Sequence, residues 1–401
     1  MLSRMQFMTM LRDTARSMQV WKDMIQTQNT MTTVKMVRMD AQAVKTDNLD
    51  KNKVILGLSG GVDSTAAALV LQEQGYHVTG LYFNVLGSYC RNYEENIKAG
   101  REKAERTARQ LGIDLIYADV SRDFDEKVVL PFCRAYMSGR TPNPCVLCNP
   151  AVKFKTLIDA ANEGGAYHIA TGHYAGTYYD AKADTWFIRK SANSAKDQSY
   201  MLYRLNREQI SRLILPLEQF ADKEDVRALA RAAGTDNADR VDSQEICFVD
   251  SSDTYLDFLK RRGFSSPEGD FVDSEGNVLG RHKGISRYTI GQRKGLGIAL
   301  GKPAFVTEID ERKNRVVLGD NRELFRKTVI STENILCKQV SSVKAKIRYA
   351  ASPSDAALEF NEDGTVTAVF TEPQRAATPG QSIVFYEDDL VIGGGIIREV
   401  K

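Results

Sequence analysis

Six residues, Ser59-Gly60-Gly61-Val62-Asp63-Ser64, constrain this chain more than any other stretch. Before them, residues 53–58 form a short apolar run rich in β-formers that reads as a buried strand; after them, 65–74 reads as a helix ending at Gly75. Two glycines allow close backbone approach to a ligand, the amides at a helix start face outward, and Ser59 and Ser64 add hydroxyl donors. The result is a cradle for pyrophosphate oxygens. No Gly-Lys-Ser/Thr follows, which disfavours γ-phosphoryl transfer, and the pattern is not Gly-x-Gly-x-x-Gly, which argues against a dinucleotide cofactor. An ordinary Gly-rich turn is the plainer alternative, but six residues of this type in this setting are more specific than a lone Gly-Gly.

The surrounding pattern predicts the fold class. Strand-like runs at 77–85, 113–120 and 168–171 alternate with helical patterns at 92–111 (stopped by Gly112), at 123–137 and from Ala151 onward. Such alternation predicts an α/β fold with a Rossmann-like parallel sheet, whose ligands bind at the carboxyl ends of its strands. Past residue 250 the texture turns to Gly-punctuated β. Residues 304–318 alternate about a turn at 311–314, and short strands are expected at 343–347, 357–360, 365–370, 382–385 and 390–397. That spacing suits a C-terminal antiparallel β-barrel.

The expected domains are therefore 51–252, a small central β-rich domain at 253–322, and the barrel at 323–401. Residues 1–50 are expected to be a poorly structured extension: nine of the eleven methionines lie between Met1 and Met39, with little β-branched or aromatic support. A targeting peptide would account for Arg4, Arg12, Arg16 and Lys22, but Asp13 and Asp23 interrupt it. No run of 18 uncharged apolar residues occurs, so no membrane-spanning helix is expected. The net charge of +2 means that any nucleic-acid surface must come from local clustering. Residues 281–294, with five Lys/Arg around Tyr288, fit phosphate contacts and stacking on RNA.

Six cysteines are too few for a disulfide scaffold, and the pair Cys145-Val146-Leu147-Cys148 points to a reducing, cytoplasmic setting with thiol or metal chemistry. Arg140-Thr141-Pro142-Asn143-Pro144 reads as a rigid loop that sets the pair just before a helix near Ala151. A helix N-terminus lowers a thiol pKa, and Lys153 and Lys155 could add positive potential. Cys247 lies far downstream in an expected loop. Half a structural zinc site is the bland alternative, but no second pair completes four ligands. Cys90, Cys133 and Cys337 read as packing residues.

The loop Ser59–Ser64 is similar to the signature of the pyrophosphatase-loop ATP superfamily, which adenylates a carbonyl oxygen and releases pyrophosphate. From Lys53 to its end the chain resembles the bacterial tRNA-specific 2-thiouridylase family. The resemblance rests on residues 139–144, Leu147-Cys148-Asn149, Lys153-Phe154-Lys155, Ala170-Thr171-Gly172-His173-Tyr174, Lys196-Asp197-Gln198-Ser199-Tyr200, Ile246-Cys247-Phe248, residues 288–298, Pro379-Gly380-Gln381-Ser382 and residues 393–397. It implies an ATP-binding first domain and thiolation of the wobble uridine of tRNA. By resemblance, Cys148 is the nucleophile and Cys247 the persulfide carrier. Gly57, Leu58, Ser59, Gly60, Gly61, Val62, Asp63, Ser64, Phe83 and Gly172 match ATP-binding positions. Asn143, Pro144 and Cys145 match the stretch meeting the target base, and His173, Lys196, Asp197, Gln198, Arg348, Tyr349 and Gln381 match other tRNA contacts.

The family pattern typically has aspartate at Cys145 and methionine at Phe83. The first departure leaves three thiols, Cys145, Cys148 and Cys247, and so opens two mechanisms. In one, sulfur arrives on Cys247 as a persulfide from a sulfur-donor protein, and Cys148 either frees it as hydrosulfide or forms a disulfide with Cys247 afterwards. In the other, the three cysteines hold a 4Fe-4S cluster that delivers sulfide. ATP is expected with Mg²⁺, and Asp63 or Asp197 could help position it or the tRNA, although a carboxylate at a helix start is also a routine cap. Two other functions fit the loop less well: a nitrogen-transfer synthetase of the same superfamily, and a non-catalytic RNA-binding or iron-sensing protein.

Overall fold

The computed structural model describes residues 34–36, 46–236 and 246–401. The first domain is built on a six-stranded, wholly parallel sheet in the order β1-β4-β3-β2-β5-β8. Its strands are β1 (Val34–Met36), β2 (Asp50–Gly57), β3 (His77–Asn84), β4 (Asp114–Asp119), β5 (Ala166–Ala170) and β8 (Leu213–Ile214). β1 pairs along β4, so a short piece of the segment expected to stand apart adds an edge strand; the rest of 1–45 lies outside the described residues. Helix α1 (Val62–Glu73) is buried from Val62 to Leu71, except at Asp63, because Ala, Val and Leu cover all its faces; α2 (Tyr93–Leu111) is amphipathic and ends on Gly112 in the left-handed region.

The chain leaves β2 toward β3 on one side of the sheet and returns to β5 on the other. This reversal opens a crevice at the carboxyl end of β2, where such sheets bind ligands. The loop Ser59–Gly61 lies there, Phe83 ends β3, and Gly172 follows β5.

After β4 the chain runs as one helical stretch, α3 (Ser121–Phe124), a π-helical turn over Asp125–Val129, and α4 (Leu130–Met137). The next helix corrects an expectation. It starts at Pro144, not near Ala151: α5 (Pro144–Cys148) continues through a π-helical turn, Asn149–Lys153, into α6 (Phe154–Glu163). Asn143 caps the start by accepting from the Cys145 amide at 3.1 Å, and Pro144 occupies the first turn, where its missing N–H costs nothing. Pro150 would break an α-helical ladder, and the wider π turn absorbs it.

The central domain carries a four-stranded sheet, β10-β9-β12-β11, from β9 (Gly269–Val272), β10 (Val278–His282), β11 (Phe305–Asp310) and β12 (Arg315–Gly319). The barrel is closed and antiparallel: β13 (Phe325–Leu336), β16 (Val366–Arg375), β15 (Ser354–Phe360), β14 (Ser342–Lys346), β17 (Ser382–Glu387) and β18 (Leu390–Val400), with β18 pairing back to β13. The hairpin β6 (Ala175–Asp180) and β7 (Thr185–Lys190) grows out of the first domain and joins this sheet through β18. The two large domains thus share a sheet. Across that seam Tyr200 donates to the Ser382 carbonyl at 2.8 Å and Tyr203 pairs with the Ser382 hydroxyl at 3.1 Å.

Tyr288 is buried among Phe271 and His282, with ring centroids 5.2 and 5.7 Å away. Tyr288 is therefore not free to stack on RNA, contrary to expectation: its ring belongs to the central core. Nearby Arg281 pairs with Asp270 at 2.8 Å. Among the described residues no helix is long and apolar enough to cross a membrane.

Candidate active site

The nucleotide side is held together by contacts that leave little slack. Gly60 is left-handed at φ +70°, and a Cβ there would lie 2.8 Å from Lys103 Cγ and 3.1 Å from the Lys103 backbone on α2. Only glycine fits both conditions. The Ser59 hydroxyl accepts from the Gly61 amide (3.2 Å), the Ser64 hydroxyl donates to the Gly61 carbonyl (3.0 Å), and the Leu58 amide donates to the Leu81 carbonyl (2.8 Å). Gly172 presses on the first turn of α1: a Cβ would sit 2.8–2.9 Å from the Asp63 carbonyl and the Ser64 amide nitrogen. The Phe83 ring lies 3.3 Å from where a Gly57 Cβ would be, so it walls the crevice between Gly57 and Thr171.

The Asp63 side chain is 31% exposed, but its carboxylate is already partnered. Its carboxylate accepts from Lys223 at 2.6 and 2.7 Å and from the Tyr174 hydroxyl at 2.9 Å. Lys223 opens α7 (Lys223–Ala232) and is buried beside the Tyr174 ring. Sequence reasoning missed Lys223 and Lys103. A lone lysine carries no local signal, and each reaches the loop only through tertiary packing.

The sulfur side differs from expectation. Cys148 is buried in α5 and Cys145 is exposed one turn earlier; Cys247 is exposed on a turn, and all the cysteines are free thiols. Lys153 lies among Cys145, Cys148 and Cys247. Burial pulls its ammonium down, but negative charge on the Cys148, Cys247 and Cys145 sulfurs, once they ionise, holds it above the ordinary lysine range. Lys155 points elsewhere, paired with Asp159 on the next turn.

The expected low thiol pKa is not found. Burial pushes Cys148 up despite the Lys153 ammonium and amide beside it. Cys247 keeps a solvent-facing edge, yet protein crowds its other sides, and that desolvation outweighs Lys153 and pushes it up to about 12. The dipole argument fails because Cys148 lies past the first turn of the helical stretch that starts at Pro144, and its burial outweighs what remains of that field. Among the described residues no three Cys, His, Asp or Glu gather closely enough to hold a metal ion.

His173 bridges the two sides. Its Nδ1 pairs with the Thr171 hydroxyl at 2.7 Å and its ring lies 6.0 Å from Phe154; burial, then the Lys153 charge, lower its pKa to about 3. It is a neutral imidazole at physiological pH.

The remaining predicted residues fall into two groups. Asp197 is buried, accepting from the Ser199 hydroxyl (2.7 Å) and the Ser191 amide (3.1 Å), and Gln198 accepts from the Tyr174 amide (2.9 Å). Those side chains brace the segment while Lys196 stays half-exposed. In the barrel, Arg348 donates to the carbonyls of Arg375 (2.8 Å) and Ala376 (3.0 Å), Tyr349 packs against Tyr200 across the seam, and Gln381 donates to the Thr141 carbonyl at 2.8 Å.

A pyrophosphate loop at a sheet switch point, with thiols and a shared lysine on the neighbouring helix, defines a nucleotide-dependent group-transfer protein of the α/β class. Family models match nearly the whole described chain: the tRNA methyl transferase HUP domain over 52–251, the tRNA methyl transferase PRC-barrel domain over 256–320, and the aminomethyltransferase beta-barrel domain over 325–397. The tRNA-specific 2-thiouridylase MnmA of Syntrophomonas wolfei is 47% identical over 350 residues, covering 86% of this chain and 99% of its own. That of Acetivibrio thermocellus is 43% identical over 365 residues, covering 87% and 100%. The chain belongs to the tRNA-specific 2-thiouridylase family. Among solved structures, the U34-tRNA thiolase NcsA of Methanococcus maripaludis with its 4Fe-4S cluster aligns over 54% of this chain and 66% of its own, at 20% identity and a TM-score of 0.31, too distant to bear on mechanism.

Proposed function

We infer that this chain is an ATP-dependent tRNA sulfurtransferase that replaces the C2 oxygen of the wobble uridine by sulfur. One observation carries the reading: the pyrophosphate loop and the Cys148 helix flank the same strand end, joined through Gly172-His173, in a chain 47% identical to a 2-thiouridylase. A uracil oxygen is a poor leaving group. Its attack on the α-phosphate of ATP converts it into an adenylate ester, from which AMP can later leave, with pyrophosphate departing through the Ser59–Ser64 cradle. Gly57, Leu58, Phe83 and Gly172 wall the nucleotide. The Asp63 carboxylate, held by Lys223 and Tyr174 at the start of α1, is the acidic group of this loop that would face a Mg²⁺ bound with the triphosphate.

For sulfur, the persulfide route is the one these residues support. The outer sulfur of a Cys247 persulfide, loaded by a sulfur-donor protein, attacks C2 and AMP leaves. The Cys148 thiolate then attacks the Cys247 sulfur, releasing the thiouridine and leaving a Cys148–Cys247 disulfide for an external thiol to reduce. Lys153, shared by the thiols, offsets part of the cost that burial puts on the Cys148 thiolate. Cys145 would have to converge with the other two cysteines to bind a cluster, and among the described residues no such ligand set stands ready. Asn143, Pro144 and Cys145 would meet the target base, with Lys196, Arg348, Tyr349 and Gln381 on the tRNA-facing side.

The test is nucleoside analysis of substrate tRNA after incubation with ATP and a persulfide donor. Wild type should yield a thiolated base and AMP together. Cys148→Ala and Cys247→Ala should abolish thiolation, by roughly 10³-fold or more, while ATP still binds. Neither AMP nor thiolated base from wild type would overturn the reading. Stoichiometric iron and acid-labile sulfide in anaerobically purified, active protein would replace the persulfide by the cluster.

A further inference from the structure

All three domains meet at Thr141, four residues ahead of Cys145. Its amide donates to the Pro379 carbonyl at 3.0 Å and its carbonyl accepts from Gln381 Nε2 at 2.8 Å, both from the barrel. Its hydroxyl pairs with the Thr289 hydroxyl of the central domain at 3.0 Å. Every polar group of one residue is thus taken by another domain.

The surroundings hold this junction closed. Gly380, at φ +93°, would place a Cβ 3.0 Å from Arg140 Cβ and the Thr141 nitrogen, so the barrel loop approaches as near as a backbone can. A Cβ on Gly291 would lie 2.8 Å from Ala376 Cβ, so the central and barrel loops touch each other as well. Thr289 is fixed in turn by Gln292, which accepts from its amide at 3.0 Å. Arg348 grips the Arg375 and Ala376 carbonyls, and Thr378 donates to Ala376 at 2.9 Å, which ties the barrel wall to the loop carrying Pro379 and Gln381.

Between Thr141 and the helix stand only Pro142 and Asn143. Proline removes the slack at 142 and again at 144, and Asn143 caps the Cys145 amide. Cys145 and Cys148 lie in the first five residues of a helical stretch that runs on to Glu163, so the path of the chain from Thr141 to Asn143 sets how that stretch begins.

We propose that Thr141 is a positioning residue for the cysteine helix: its hydroxyl bond to Thr289, with its two backbone bonds to the barrel, fixes where Cys145 and Cys148 stand when tRNA seats on the central and barrel domains. The proposal rests on the sulfur-transfer reading above. Lying between two sites is not coupling, so the experiment has to separate positioning from binding.

The full chain is compared as wild type, Thr141→Val, Thr289→Val, the double variant, and Thr141→Ser, which keeps the hydroxyl. Three quantities are read: single-turnover thiolation at saturating tRNA, tRNA Kd, and the rate of Cys148 alkylation in the tRNA complex. Each valine variant should slow thiolation about tenfold and change Cys148 alkylation, with tRNA Kd within about threefold, because a lost hydrogen bond that misplaces a reacting atom acts on the chemical step. Serine should restore the rate to within about twofold, and the double variant should be no slower than either single, since both remove one interaction. The proposal is overturned by valine variants that thiolate at the wild-type rate, by a loss that appears wholly in Kd, or by a serine variant as slow as valine. Should Thr141→Val fail to fold, Thr289→Val, on the other side of the bond, decides the matter alone. An inactive wild type would defeat the sulfur-transfer reading itself; an active wild type with equally active valine variants would defeat only the role of Thr141.

Discussion

The nucleotide loop and the sulfur site lie at the carboxyl end of one sheet but are built in opposite ways. Around Ser59–Ser64 the groups are already partnered: Asp63 by Lys223 and Tyr174, Ser64 by Gly61, and the loop as a whole by Gly172 and Lys103. The thiols have no such readiness. Cys148 is buried, Cys247 is exposed, and both are held as thiols by desolvation that Lys153 opposes without overcoming. In the proposed reaction the loop that would take ATP is therefore poised before substrate arrives, while the thiols would have to lose that desolvation to ionise.

The largest effect is expected from breaking the poised half. Gly172→Ala puts a methyl within 2.8–2.9 Å of backbone on α1, where nothing flexible can yield. Overpacking of this kind costs about 1–3 kcal/mol, and here it falls on the ATP cradle. ATP affinity should drop tenfold or more, measured by equilibrium binding, with Cys148 alkylation unchanged. Equal losses at both sites would mean that they are one unit, and the contrast drawn above would be wrong.

A smaller effect tests the other half. Lys153→Met removes the cation that lowers both thiols, so each pKa rises further. The ascending limb of the thiolation rate should move to higher pH, with about a tenfold loss at neutral pH that recovers as pH rises, since one pKa unit is a factor of ten in thiolate. A pH-independent loss would assign Lys153 to packing.

The same contrast explains what the sequence made legible. The nucleotide loop is contiguous, and its glycines, flanking strand and helix are local signals, so Ser59–Ser64 and the parallel sheet could be read directly. Asn143-Pro144 was also a local signal, a cap followed by a first-turn proline, but two prolines in a row of turn formers favoured a loop, and the helix start was placed seven residues late. The hairpin β6–β7 gave no clue to its role, because its partner β18 lies some two hundred residues on and pairing across that distance leaves no periodicity. β13 carries no strand pattern because FRKTVISTENIL splits its apolar pairs, Val329-Ile330 and Ile335-Leu336, around four polar residues, and its pairing slips register where Glu333 turns left-handed. Lys103 and Lys223 were invisible for the same reason as β18: their partners are tertiary.

His173 joins the halves, and its smallest but most diagnostic consequence is a pH dependence of stability. Folded, it holds a pKa of about 3; in the unfolded chain it returns to the ordinary histidine value near 6.5. Below that value the unfolded chain takes up a proton that the folded one refuses, so the folded state loses stability as pH falls, by up to about 1.4 kcal/mol per pH unit from this residue. Above it the contribution is flat. His173→Gln keeps a hydrogen-bonding group beside Thr171 but cannot titrate. The difference in urea unfolding free energy between wild type and variant, taken at steps from pH 7.5 to 4.5, cancels the other ionising groups and should slope only below about 6.5, where the wild type weakens relative to the variant. A difference constant across that range would show that His173 accepts a proton in place, and with it that the Lys153 side of the site is less desolvated than the raised pKa of Cys148 requires.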